Sequence, residues 1–250
     1  MYTYKYPRPS VTVDCVAFGF DPTKVQIEVL LIKRGEKVDT FPGFWALPGG
    51  FVNVSDEPGN QGETTEAAAR RECEEETGAT LAYLEQLGTF DEPGRDPRGR
   101  VISVAYYALV RTQDHNVKGA DDADEARWFP IDEALNLVLA FDHNEILRYG
   151  ISRLQSKVKY APVGFGLLPE TFSIPDLRRL YEAISRKSID PGNFRKKILS
   201  LKILTEAGRK NRGQKGVQLY RFNQEAYNEA TRRGFNFEPR YVREKRKGVK

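Results

Sequence analysis

Charge is divided unequally along this chain, and that division constrains its architecture more than any single motif. Residues 1–150 hold 15 Lys+Arg against 26 Asp+Glu, a net of −11, whereas residues 151–250 hold 24 against 9, a net of +15. The split predicts two domains with different partners, the basic one suited to a polyanion. The 250 residues accommodate both, and 40% apolar residues with 11% aromatics are enough for packed cores. The boundary is expected after Tyr160, in a segment to Pro169 whose prolines and glycines argue against helix. The expected division is therefore 1–160, 161–238 and a basic, disordered tail over 239–250. No stretch approaches ~18 consecutive apolar residues, so no membrane span is expected. Cys15 and Cys73 sit in apolar patterns and are expected as reduced core residues, with the cytoplasm as the default location. His115 and His143 are isolated and receive no role.

The acidic half alternates strand and helix signals. Val11–Phe20 and Val25–Ile32 are apolar runs separated by Asp21-Pro22-Thr23-Lys24, a strand pair around a turn. Further strands are expected at Leu81–Phe90, Val101–Arg111 and Ala126–Pro130, and helices at Ile131–Leu137 and Asp142–Tyr160. The pattern predicts an α/β domain, a mixed sheet flanked by helices.

Residues 63–78 hold the densest chemistry. Thr64 or Thr65 can cap a helix start, the Ala-rich middle favours helix, and Gly78 can end it in the left-handed conformation. Glu72, Glu75 and Glu76 then share one helix face at i, i+3 and i+4. Hard oxygen donors at that density suit Mg²⁺ or Mn²⁺. Arg71 can orient them through charge-assisted hydrogen bonds. Upstream, Phe44–Val52 runs into Gly49-Gly50, where backbone can approach a ligand closely.

These residues resemble the signature of the Nudix hydrolase family. The match covers Glu63, Arg71, Glu72, Cys73 at an apolar position, Glu75, Glu76, Gly78 and Ala79. The family pattern places Gly50 five residues before Glu63, but here twelve intervene, a seven-residue insertion within Asn53–Gly62. The resemblance implies a metal site on Glu72, Glu75 and Glu76, with Glu75 and Glu76 catalytic. It makes Glu125, in an acidic loop before Trp128, a candidate base. Arg34, Gly49, Gly50 and Arg71 are the expected ligand contacts beside the metal.

The basic half has its own order. Ser173-Ile174-Pro175-Asp176 opens a helix with a Leu177, Leu180, Tyr181, Ile184 stripe. Asp190-Pro191 opens a second helix carrying Asn193, Arg195, Lys196 and Lys197. Strands at Ile203–Thr205 and Val217–Phe222 flank a basic, Gly-rich tip with Arg209, Lys210, Arg212 and Lys215. Helix, turn, basic helix and wing form a winged helix-turn-helix, with the second helix in a major groove and the wing on phosphates.

The order of domains resembles the NrtR family of Nudix-related transcriptional regulators over about Ser10–Glu238. Val11–Asp14, Gly88–Phe90, Arg95–Arg100, Val101–Tyr107, Leu180-Tyr181 and Asn193–Leu199 carry the likeness. The resemblance implies a homodimer on palindromic double-stranded DNA that senses ADP-ribose or a related phosphorylated metabolite, and regulates NAD or sugar metabolism. Many members carry a decayed Nudix motif, whereas this chain keeps its carboxylates. Hydrolysis of ADP-ribose to AMP and ribose 5-phosphate is thus an open second expectation, as is a hydrolase with no regulatory role. Arg95, Arg98 and Arg100, in a loop shaped by Gly94, Pro97 and Gly99, can clamp a diphosphate.

Overall fold

The computed structural model describes residues 5–55, 61–81, 83–112, 123–161, 163–210, 216–232, 237 and 241–242. It divides into two compact units, Met1–Gly19 with Ile27–Arg153, and Phe20–Gln26 with Leu154–Lys250. The division thus falls inside a helix, a few residues before the expected boundary.

The first unit is built on a seven-stranded mixed sheet. Its strands are β1 (Ser10–Asp21), β2 (Gln26–Arg34), β3 (Trp45–Ala46), β4 (Gly49–Phe51), β5 (Tyr83–Phe90), β6 (Val101–Leu109) and β7 (Ala123–Pro130). The order is β3-β2-β1-β6-β5, with β4 on β1 and β7 on β2. Helix α1 (Thr65–Thr77) covers one face of β1 and β6, where Ala68 and Ala69 pack with Val13 and Tyr106. Alanines at that contact let helix and sheet approach closely. Helix α2 is the single turn Ile131–Ala134, and α3 spans His143–Lys157. Gly150 of α3 sits against Val16, where a Cβ would come within 3.2 Å of the valine methyls. With both faces of β1 covered, its residues from Val13 to Phe20 are all buried, which is why the strand is almost continuously apolar.

Local chemistry accounts for α1. Thr64 accepts from Ala67 N at 3.1 Å, and Gly78 closes the helix at φ 70° with its N–H on Glu74 O at 2.8 Å. The inserted loop does not disturb that start. Asn53 and Glu63 are bonded to each other at its feet: Glu63 N donates to Asn53 O at 3.0 Å, and Asn53 N donates to the Glu63 side chain, Oε1, at 2.9 Å. These two bonds tie the chain after β4 to the residue that precedes the helix cap.

In the second unit a 3₁₀ turn occupies Val163–Leu167, where no helix was expected. A single tight turn needs too few residues for the nearby prolines to forbid it. Then come β8 (Phe172–Ser173), α4 (Ile174–Ser185), α5 (Pro191–Ser200), β9 (Leu204–Lys210), β10 (Val217–Phe222) and α6 (Gln224–Arg232). Ser173 and Asp176 form a reciprocal capping box at the start of α4, and Asp190 caps α5 through Asn193 N at 2.7 Å. Tyr181 of α4, Phe194 of α5 and Phe237 meet edge to face with centroids 5.0–5.7 Å apart. Three fully buried aromatics at one junction set the α4–α5 arrangement. The sheet has three strands, β8-β10-β9, rather than the two expected. Tyr241, in the segment expected as tail, bridges Ile189.

Candidate functional site

The first unit encloses a cavity of about 530 Å³ walled by β1, β4, α1, the β2–β3 loop, the loop after β5 and the start of α3. Glu72 and Glu76, one helical turn apart on α1, line it together with Gly49 and Gly50. Gly49 N donates to Glu76 Oε2 at 2.8 Å. A Cβ on Gly50 would lie 2.4 Å from Glu72 Oε1, so only glycine lets that carboxylate rest under the turn. Burial pushes the Glu76 carboxyl up to about 8, and the Glu72 charge adds to this against the Gly49 bond. Glu72 is also raised, by burial first and then by Glu75 and Glu63, while Arg71 opposes.

Glu75 departs from the expected cluster. Its side chain is half exposed and takes Arg71 Nη1 at 2.9 Å, outside the cavity wall. Among the described residues no three His, Cys, Asp or Glu side chains gather around one cation position. Glu72 and Glu76 still fit a divalent cation, because both are hard oxygen donors whose charged forms burial disfavours, a cost that a cation would offset. Arg71 does not line the cavity either. It grips Glu63 at 2.6 and 3.1 Å and Phe51 O at 3.2 Å, and reaches Glu72 as well as Glu75. These bonds raise its pKa, Glu63 first. Glu125 lies exposed on β7 opposite Lys33 and is not part of the wall.

The three loop arginines separate. Arg95 is buried, with Nε and Nη2 on Asp142 at 2.8 and 2.6 Å and Nη2 also on Asp14 at 3.1 Å. Arg95 lines the cavity, with most of its guanidinium held in an ion-pair network in the wall. Arg98 lines the cavity, held by Asp96 at 2.7 Å and lying over the rings of Phe51 and Phe141 at 5.1 and 5.4 Å. Arg100 points elsewhere and bonds Asp91 O. Arg34 lines the cavity and pins the β2–β3 loop through Thr40 O at 3.1 Å.

In the cavity wall, through Asp14, Arg95 and His143, runs a polar network that sequence reasoning missed. Asp14 Oδ2 accepts from Ser103 Oγ at 2.5 Å, and Asp14 Oδ1 faces His143 Nε2 at 3.1 Å. Leu47 N donates to His143 Nδ1 at 2.9 Å, so the imidazole proton sits on Nε2 and points at Asp14. Burial would raise the Asp14 carboxyl, but His143, Ser103 and Arg95 outweigh it and hold it at about 2. One signal was available: strand alternation puts Thr12 and Asp14 on the same face of an otherwise apolar strand. His143 and Phe141 gave none, because only the chain's return at α3 brings them to β1 and β4.

In the second unit Asn193, Arg195, Lys196 and Lys197 are exposed on α5 while Phe194 and Ile198 face inward. Arg209 and Lys210 are exposed on β9, and Arg209 Nε donates to Gln218 at 3.3 Å. Arg212 and Lys215 lie outside the described residues.

Comparison with known proteins agrees with this layout. A NUDIX domain model matches residues 8–150, and the NrtR DNA-binding winged helix domain matches residues 164–222. The chain is 33% identical over 233 residues to the "ADPR responsive transcriptional repressor NtrR" of Acinetobacter baylyi, covering 93% of this chain and 87% of that protein. It is 38% identical over 143 residues to an ADP-ribose pyrophosphatase of Methanocaldococcus jannaschii, covering 57% of this chain and 73% of the relative. The crystal structure of Shewanella oneidensis NrtR with a 27mer DNA superposes with a TM-score of 0.73 at 29% identity, covering 93% of this chain and 99% of that one.

Proposed function

Because the chain belongs to the NUDIX family and continues into an NrtR-type DNA-binding winged helix, we propose that it is an ADP-ribose-responsive transcriptional repressor. The observation that carries this reading is the union in one chain of a Glu72–Glu76 cavity with an exposed basic helix, α5. The likeness to the ADPR responsive repressor over 93% of the chain supports it. Arg34 and Arg98 meet the anionic ligand from one side of the cavity, and Gly49-Gly50 let its diphosphate approach the backbone. Asn193, Arg195, Lys196 and Lys197 face the major groove, with Arg209 and Lys210 on phosphates. The active species is a cytoplasmic homodimer on a palindromic site controlling NAD or sugar metabolism. Among the described residues no helix is long and apolar enough to cross a membrane.

Nudix hydrolases use divalent cations. Glu72 and Glu76, with Glu75 on release from Arg71, are the residues that would hold Mg²⁺ or Mn²⁺ here. Such an ion polarises a phosphoryl group and acidifies a bound water. Arg71 keeps the carboxylates aligned from behind, and Glu76 holds the Gly49 amide in place.

The test is fluorescence anisotropy with DNA from upstream of neighbouring genes, with and without ADP-ribose. Sequence-specific binding that changes at least about fivefold with the ligand is expected. No specific binding in either condition refutes the proposal. A second reading, hydrolysis of ADP-ribose, rests on the two carboxylates retained in the cavity. It requires AMP release with Mg²⁺ or Mn²⁺ that disappears in Glu76→Gln, and intact ADP-ribose after hours leaves the sensor alone.

A further inference from the structure

Among the described residues, Phe51 is the one exposed large apolar side chain that lines the cavity. It is 45% exposed, at the end of β4, the three-residue strand that also carries Gly49 and Gly50. The sheet register fixes where it points. Phe51 lies directly opposite Thr12 of the antiparallel β1, so the two share a face, and Asp14, two residues on, shares it too. That face looks toward His143, which Asp14 contacts, and Thr12, Asp14 and His143 all line the cavity. The Arg98 guanidinium lies over the Phe51 ring at 5.1 Å. Bonds to Asp96, from Nε at 3.0 and 3.2 Å and from Nη2 at 2.7 Å, balance its charge and fix its orientation, so it meets the ring as a flat surface. Phe141 brings a second ring to Arg98, at 5.4 Å, from a left-handed backbone conformation (φ 53°) that a bulky residue rarely adopts. Flat groups gathered around a half-covered ring suit a planar ligand moiety, and covering that ring removes apolar surface from water.

We propose that Phe51 is the platform on which the planar base of the bound nucleotide stacks, so that the site distinguishes a nucleotide from a base-free sugar phosphate. This rests on the reading of the cavity as an ADP-ribose site. Within that ligand only the adenine has a π-face to lay on a phenyl ring. Gly49 and Gly50 directly precede Phe51, so the ring stands beside the turn that meets Glu76 and Glu72. One nucleotide can therefore place its phosphates at the turn and its base on the ring. Stacking asks for no particular hydrogen bond. It fits a wall in which Asp14 already accepts from Ser103, His143 and Arg95, and Arg98 already pairs with Asp96.

The experiment is calorimetric titration of the full-length protein, with Mg²⁺ present, using α,β-methylene ADP-ribose, which resists cleavage between its phosphorus centres, and its base-free counterpart with hydrogen in place of adenine. Phe51→Leu should bind the adenine analogue at least about fivefold more weakly, the lower end of base–aromatic stacking. It should bind the base-free counterpart within about twofold of the parent. Its melting temperature should stay within about 3 °C of the parent's, since the side chain is half exposed. Phe51→Trp, which keeps a flat ring, should bind the adenine analogue within about threefold of the parent. Saturation with that analogue should also quench the emission of the added indole beyond any change in the parent. Phe51→Leu binding the adenine analogue within about twofold of the parent overturns the inference. So does an equal loss for both ligands, which marks Phe51 as a support of the wall. An added indole whose emission is unmoved at saturation overturns it as well, and this signal decides where the base-free ligand binds too weakly to titrate. Parent protein that binds neither ligand refutes the ADP-ribose reading itself, and the inference with it.

Discussion

Replacing Asp14 by Asn tests the network in the cavity wall. The substitution keeps the shape but exchanges one acceptor oxygen for an NH₂ donor. Both Asp14 oxygens face donors, His143 Nε2–H on one side, Ser103 Oγ and Arg95 Nη2 on the other. Either amide orientation sets donor against donor, and His143 cannot change tautomer because Leu47 N occupies Nδ1. The charge term is worked from the carboxyl's fall from 3.8 to about 2, roughly 2 kcal/mol at neutral pH. An unsatisfied buried donor adds about 1–3 kcal/mol. Asp142 continues to pair Arg95 bidentately, which limits the total to about 3–5 kcal/mol. Urea unfolding followed by tryptophan emission reads this unit selectively, since Trp45 and Trp128 are the chain's only tryptophans and both lie in it. The sign follows from the depressed carboxyl. Its contribution is complete above about pH 4 and is lost as pH falls through about 2, so parent and variant should converge in acid. A loss under about 1 kcal/mol at pH 7, or a gap that stays constant on acidification, refutes the charged, paired Asp14.

Gly50→Ala should displace Glu72 at little cost in stability, because the clash is with a flexible side-chain end, and should reduce Mn²⁺ affinity at least about tenfold in a paramagnetic-resonance titration. Gly49→Ala should instead cost roughly 1–3 kcal/mol in the same urea assay, since its Cβ would sit 2.1 Å from Val13 O. Phe194→Ala removes a buried member of the Tyr181–Phe237 cluster and should destabilise the second unit by about 3–5 kcal/mol, visible in circular dichroism but not in tryptophan emission. Arg195→Ala and Lys196→Ala should each weaken DNA binding and lower the slope of log affinity against log salt by about one, measured by anisotropy across salt concentrations.

Several elements were legible because their signals are local. Thr64, Gly78 and the alanines between them write α1 at one-turn range. Ser173 with Asp176, and Asp190 ahead of Asn193, do the same for α4 and α5. What escaped was short or remote. The strand β8 has two residues, too few for an alternation to register, and gains its identity only by pairing with Leu219 and Tyr220. Helix α6 had a readable start, Asn223 accepting from Ala226 N, but a weak apolar stripe behind it.

The sequence by itself determined the two-part design, the acidic helix with its carboxylates a turn apart, and the basic helix with its apolar side turned in. Each follows from spacing within a few residues and from charge segregated along the chain. Only the tertiary structure decided which charges are free to act. It tied Arg95 to Asp14 and Asp142 in the cavity wall and brought Glu72, Glu76, Arg34 and Arg98 to the same cavity. A carboxylate or a guanidinium is the same group in the sequence whether it meets a ligand or another side chain. Its role is set by which partner lies within hydrogen-bond reach, and for Arg95 that depends on residues 47 and 81 positions away being folded against it.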